Sequence, residues 1–110
     1  NTKENLAEAA AGEREEWSML YENFAKDAQD EGFPQIANYY KLVAKVETMH
    51  EARYLKLLER LNTGTEFEQE EPVEWMCRRC GFVITAKAAP KRCPVCGMDQ
   101  GWFQRKANNY

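Results

Sequence analysis

The chain has 110 residues, of which 44% are hydrophobic and 30% charged, and its net charge is −3. This composition is that of one globular domain, or of a small domain with a satellite, and the acidic balance argues against a nucleic-acid-binding protein, which would carry a basic face. Since neither a run of about 18 apolar residues nor a secretory leader is seen, we expect no membrane partner and a cytoplasmic location.

The first predicted element is a helix that begins at Asn1 or Thr2 and ends near Glu31. Its apolar positions recur every three or four residues and are interrupted midway by Glu13 and Glu16. Gly32 predicts the end of this helix, and Pro34 predicts the first turn of the next one. Two carboxylates on an apolar stripe need a compensating charge or a metal, because burying an unpaired charge is costly.

The second predicted helix runs from Pro34 to about Leu61, and its apolar stripe is interrupted by Glu47 and by His50, the single histidine of the chain. A short loop makes two helices antiparallel neighbours. At 1.5 Å per residue, both polar interruptions lie roughly 25 Å from the turn. The sequence therefore predicts three carboxylates and an imidazole in one layer, which is the composition of a carboxylate-rich iron or manganese site.

The remainder of the chain contains an acidic stretch and a cysteine-rich stretch. Residues 63–74 are polar and lack periodicity, which predicts a linker between a helical pair at 1–62 and a domain at 75–110. That domain carries two Cys-x-x-Cys pairs, each followed by a glycine that permits a tight turn: Cys77, Cys80, Cys93 and Cys96. Such pairs predict one tetrahedral metal site, for iron or for zinc, and a purely structural zinc ribbon is an open alternative.

The order of these motifs resembles that of the rubrerythrin family. The matching features are Ala-Gly-Glu13-x-x-Glu16, Tyr21, Glu-Gly-Phe-Pro at 31–34, Glu47-x-x-His50, and two cysteine pairs separated by twelve residues. The resemblance implies an antiparallel helical pair that forms half of a ferritin-like four-helix bundle, followed by a small metal-bound β domain of the rubredoxin type. It also implies that Glu13, Glu16, Glu47 and His50 are di-iron ligands, that Tyr21 hydrogen-bonds a ligand carboxylate, and that Cys77, Cys80, Cys93 and Cys96 hold a single iron.

The resemblance further implies a function. The expected activity is that of a peroxidase that reduces hydrogen peroxide to water, with electrons relayed through the four-cysteine iron from a rubredoxin or an NAD(P)H-dependent reductase. The family forms homodimers, and its first helical pair, with its own Glu and Glu-x-x-His, has no counterpart in these 110 residues. We therefore expect an N-terminal half-bundle fragment or a second copy of the chain to complete the site. Two alternatives are a ferroxidase or iron-handling protein on the same ligands, and a non-enzymatic zinc-ribbon interaction module.

Overall fold

The computed structural model describes all residues from 1 to 110, which form two compact units. We call Asn1–Thr63 the helical unit and Gly64–Tyr110 the cysteine unit. The helical unit contains α1 (Thr2–Glu15), a π-helical segment (Glu16–Leu20), α2 (Tyr21–Asp30) and α3 (Pro34–Thr63). None of these helices combines the length and the apolarity that crossing a bilayer requires.

The helix ends lie within two residues of the predicted ones, and local chemistry explains them. At the start of α1, the Asn1 side chain accepts a hydrogen bond from the Glu4 backbone N–H at 3.0 Å, and the Glu4 side chain bonds back to Asn1. After α2, Gly32 adopts a φ of 85°, which a residue with a Cβ rarely adopts. This left-handed turn lets the Phe33 N–H reach the Ala28 carbonyl at 2.7 Å and reverses the chain into α3.

The two arms of the hairpin approach each other on small side chains. Ala10, Ala25 and Ala37 are the buried apolar residues of the helical unit. Most of its large apolar residues remain well exposed, including Ile36 and Leu57 of α3, at 47% and 44%. The hairpin alone therefore has little core, and an apolar surface runs along both arms.

The cysteine unit is built on a three-stranded antiparallel sheet of order β2-β1-β3, formed by β1 (Glu68–Cys77), β2 (Val83–Ala88) and β3 (Phe103–Arg105), with a short 3₁₀ turn at Gln100–Trp102. The predicted linker at 63–74 is wrong over its second half, because β1 begins at Glu68. The strand was not predicted because acidic residues are uncommon in strands. Its pairing with β2 is irregular between Glu68 and Val73, where Pro72 has no N–H to give to a ladder.

The cysteine unit also has a small core of its own. Trp75, Cys77, Ala89, Cys93 and Phe103 are buried at its centre. Phe67 and Val73, from the segment predicted as a linker, pack against this core. Because two cysteines belong to this core, the loops that carry the cysteine pairs and the apolar core of the unit are one structure.

Candidate metal centres

The first cluster of possible ligands lies in the helical unit, between α1 and α3. His50 Nδ1 is 2.6 Å from Glu47 Oε2 and 3.5 Å from Glu13 Oε2. The two carboxylate side chains are only 12% and 16% exposed, whereas the imidazole is 48% exposed. One ligand atom from each of the three residues lies within 4.8 Å of the others, so a single cation could be bound by all three.

The electrostatics of this cluster favour binding of a cation. Burial raises the pKa of Glu13, and the nearby Glu47 carboxylate raises it further, against the opposing effect of His50. Glu13 Oε2 is buried and has no hydrogen-bond donor. A buried carboxylate oxygen without a donor is costly, and a metal ion would satisfy it. The donor set of carboxylates and one imidazole suits iron or manganese.

Two residues predicted from the sequence lie outside this cluster. Glu16 is half-buried at the first position of the π-helical segment and does not join the three close ligand atoms. Tyr21 stacks on Tyr40, with ring centroids 5.9 Å apart, rather than bonding to a carboxylate. Burial raises the pKa of Tyr21, and the charges of Glu16 and Glu47 raise it further, so both carboxylates act on it electrostatically. The metal-binding role of Glu16 and the hydrogen-bonding role of Tyr21 stay predictions.

The π-helical segment was not anticipated from the sequence. A π-turn inserts one residue into a helix and rotates the side chains that follow, and such turns are frequent at functional sites. Here the segment separates Glu13 from Tyr21 and contains Glu16 and Trp17. No pattern of residue types signals it, because it preserves the apolar character of the stripe.

An ion pair between the exposed Arg14 and the buried Glu51 links the two arms at the level of the cluster, and it was not predicted from the sequence. Glu51 is 7% exposed and accepts hydrogen bonds from Arg14 Nε at 2.6 Å and from Trp17 Nε1 at 2.7 Å. These two donors hold the pKa of Glu51 below its ordinary value despite burial. All three residues adjoin predicted ligands in sequence, so the brace fixes the register of the helices that carry those ligands.

The second cluster is formed by the four cysteines, which are all free thiols. Cys77 Sγ lies 3.7 Å from Cys96 Sγ, and Cys80 Sγ lies 3.6 Å from Cys93 Sγ. A tetrahedral ion with metal–sulfur bonds of about 2.3 Å places its sulfurs roughly 3.8 Å apart. These sulfur–sulfur distances therefore fit ligands of one metal ion, and they are far longer than the S–S bond of a disulfide, which is about 2 Å.

Backbone turns shape each cysteine pair. Gly81 and Gly97 have φ values of 81° and 74°, and their N–H groups donate to the carbonyls of Cys77 and Cys93, both at 2.9 Å. The sulfur atoms instead receive N–H groups from inside each pair. Burial would raise the pKa of Cys93, but the N–H groups of Cys96 and Val95 outweigh it and hold that pKa at about 7.

The Cys96 thiol shows why the four-cysteine cluster needs a cation. The N–H of Met98 lowers the pKa of Cys96, but burial and the three neighbouring sulfurs raise it to about 12. Four sulfurs this close cannot all ionise without a positive ion among them. A divalent or trivalent metal supplies that charge, and all four thiolates then become ligands.

Together, the fold and the two clusters define the class: a ferritin-like helical protein joined to a rubredoxin-like four-cysteine domain. The family model described as rubrerythrin matches residues 4–88, and the model described as rubrerythrin, rubredoxin-like domain matches residues 75–104. The chain therefore belongs to the rubrerythrin family.

Individual relatives match this chain over its whole length. It is 51% identical to a rubrerythrin of Porphyromonas gingivalis over 110 residues, which is 100% of this chain and 55% of that protein. It is 46% identical to rubrerythrin-1 of Clostridium acetobutylicum over 100% of this chain and 56% of that one. A solved structure of nigerythrin is 24% identical in sequence and aligns with 94% of this chain and 49% of the nigerythrin chain. The TM-score of 0.53 supports the fold. The chain thus spans about half the length of its curated relatives.

Proposed function

We propose that the chain is the di-iron-binding and electron-accepting part of a peroxidase that reduces hydrogen peroxide to water. The observation that carries this proposal is the buried, donor-free Glu13 Oε2 facing Glu47 and His50. Membership of the rubrerythrin family supports an oxidative-stress role, and the four-cysteine cluster in the same chain supports delivery of electrons. A zinc-ribbon interaction module would have no use for the buried carboxylates.

The side chains of the helical cluster have separate roles in this proposal. Glu13 and Glu47 would hold the irons with their carboxylates, and His50 would complete the set from the open side, where its ring is 48% exposed. Two bound irons supply the chemistry of splitting the O–O bond: peroxide, two electrons and two protons give two waters. The Glu51 brace with Arg14 and Trp17 would keep the ligands in register during this cycle.

The three residues of the cluster are fewer than a di-iron centre of the ferritin-like type requires, which is a Glu from each of two helices and Glu-x-x-His from two others. We infer that a second helical pair supplies the rest, either an N-terminal half-bundle fragment or the same hairpin of another copy in a homodimer. Large exposed apolar side chains on the helical unit support this inference, since a lone hairpin buries too little surface to be stable: Leu20, Phe24, Ile36, Tyr39, Leu42, Val46 and Met49.

Electrons would enter through the cysteine unit. Cys77, Cys80, Cys93 and Cys96 would hold an iron, which would supply one-electron transfer, and the hydrogen bonds to their sulfurs would tune its potential. The proposed donors are a rubredoxin or an NAD(P)H-dependent reductase.

The decisive experiment combines metal analysis with turnover of the intact protein. Glu47→Ala should abolish NADH-linked peroxide reduction and lower the iron content, while leaving the visible absorption of the four-cysteine iron. Glu59→Ala, which removes an exposed carboxylate bonded to Lys56 on the same helix, is the matched control and should retain activity.

Other results would point to the alternatives. Oxygen-dependent oxidation of added ferrous iron with little peroxide turnover would identify a ferroxidase. Zinc at the cysteines and no metal in the helices would identify an interaction module. Full peroxide turnover by the Glu47→Ala variant would refute the proposed catalytic site.

A further inference from the structure

The charge of the chain is distributed very unevenly. Although the whole chain carries a net charge of −3, residues 75–110 contain seven Lys or Arg residues and a single acidic side chain, Asp99. The acidic residues of the cysteine unit lie instead before Trp75, in β1 and just ahead of it. The metal-binding end of this unit is therefore strongly basic.

Four of these basic residues gather around one loop, Met98–Gly101. Arg78 donates to the Gly101 carbonyl at 3.0 Å, and Arg79 Nη1 lies 3.8 Å from the Met98 sulfur. Just before the second cysteine pair, Lys91 Nζ lies 3.1 Å from Gln100 Oε1, and Arg92 Nε lies 3.5 Å from Asp99 Oδ1. All four side chains are exposed, so one carboxylate leaves most of their charge unneutralised. We call this set of residues, Arg78, Arg79, Lys91 and Arg92, the basic edge.

The basic edge borders the four-cysteine cluster directly. The Met98 carbonyl accepts from the Cys93 N–H at 2.8 Å, and the Met98 N–H bonds to the Cys96 sulfur. Cys80, which follows Arg79, is an exposed ligand, in contrast to the buried Cys77 and Cys93. Val95, inside the second cysteine pair, is 67% exposed. An exposed thiolate ligand, an apolar contact and a positive rim therefore occur on the same loops.

We propose that the basic edge is the docking surface for an acidic one-electron carrier protein, which reduces the four-cysteine iron through Cys80. This inference rests on the proposed function, because it assumes that the cysteine site holds iron. In each encounter the carrier loses one electron and the ferric iron becomes ferrous, with no bond made or broken. Opposite charges steer such encounters and raise the association rate more than they raise affinity.

A protein carrier fits these observations better than a nucleic acid does. Residues 75–110 carry an excess of positive charge, but the chain as a whole is acidic, so an extended polyanion would also meet acidic surface. A compact acidic partner needs only a small complementary patch. The exposed Cys80, which follows Arg79, gives that patch a short path for an electron.

The test measures reduction of the iron-loaded intact protein by reduced flavodoxin, used as an acidic one-electron carrier. The double variant Arg79→Glu/Arg92→Glu should lower the second-order rate about tenfold or more at low salt, and added salt should slow the parent protein but not this variant. The matched control Lys87→Glu/Arg105→Glu makes the same change of charge on β2 and β3 and should alter the rate less than about threefold. Dithionite should bleach the iron of all three proteins equally.

A second readout needs no electron transfer. In the zinc-loaded protein, flavodoxin should shift the backbone NMR signals of residues 77–80 and 91–101, and the double variant should lose these shifts. Equal flavodoxin rates in all variants, or shifts elsewhere, would overturn the docking surface while leaving the iron site intact. Shifts that appear without flavodoxin as protein concentration rises would assign the edge to a second copy and also overturn it. An absorption spectrum without iron, or iron that even dithionite fails to reduce, would instead refute the electron route of the proposed function.

Discussion

Trp75 offers the sharpest test of how the fold supports a metal site. It is 2% exposed near the C-terminal end of β1, opposite Ile84 of β2 and Arg105 of β3, and two residues before the proposed ligand Cys77. Its indole N–H donates to the Ala86 carbonyl at 3.0 Å. We expect Trp75→Ala to loosen the sheet from which the first cysteine pair emerges.

The size of this effect follows from buried area. A fully buried tryptophan covers up to about 250 Å², which at about 25 cal/mol per Å² corresponds to roughly 6 kcal/mol as an upper bound. Substitutions of this kind cost about 3–5 kcal/mol. Since each 1.4 kcal/mol is a factor of ten, the opened form of the cysteine unit should become roughly 100- to 4,000-fold more populated.

Transfer of zinc from the loaded protein to a coloured chelator measures that population when reclosing is fast. Trp75→Phe keeps most of the apolar area but leaves the Ala86 carbonyl without its donor, so its transfer rate should be intermediate, raised roughly tenfold. Trp102→Ala, at a tryptophan that is 44% exposed, is the control and should change the rate little. If Trp75→Ala released zinc no faster than Trp102→Ala, the core would not be what holds the cysteines in place.

Three further predictions concern the two clusters. Glu51→Gln should lower the thermal midpoint of the helical unit, measured by circular dichroism, more than Glu59→Gln does. The reason is that it weakens two charge-assisted hydrogen bonds of a buried carboxylate, whereas Glu59→Gln weakens one exposed ion pair. Equal midpoints of the two variants would contradict the bracing role of Glu51. Glu13→Gln should remove iron from the helices and leave the metal-free unit as stable as before or more so, since the new amide has a hydrogen to donate to Glu47; loss of stability together with iron would indicate a structural role only. Removing the metal with a chelator at neutral pH should unfold the cysteine unit while the helical signal persists, because in so small a unit the free energy of metal binding is a large part of the free energy of folding; a cysteine unit that keeps dispersed NMR signals after chelation would show that its apolar core suffices.

The elements that were predictable from the sequence are those set by local rules. The capping residues, Gly32 and Pro34 define the two helical arms, and each Cys-x-x-Cys pair followed by glycine defines a tight turn, because each rests on contacts between residues close in the chain. The convergence of Glu13 with Glu47 and His50 was also predictable, since the antiparallel geometry of a short hairpin fixes which turns face each other. Family membership followed from the order of these motifs.

Tertiary contacts decided what local rules could not. Glu51 reads as one more glutamate on a charged helix, and only the approach of Arg14 and Trp17 from the other arm makes it buried and paired. The acidic stretch before Trp75 becomes a strand because β2 lies beside it, so pairing outweighs an unfavourable composition. The π-helical turn begins at Glu16 and inserts one residue ahead of Tyr21, which no pattern of residue types records. The sequence by itself therefore determined which groups are present and along which element they lie, whereas burial, pairing and the exact facing of each side chain depended on neighbours distant in the chain.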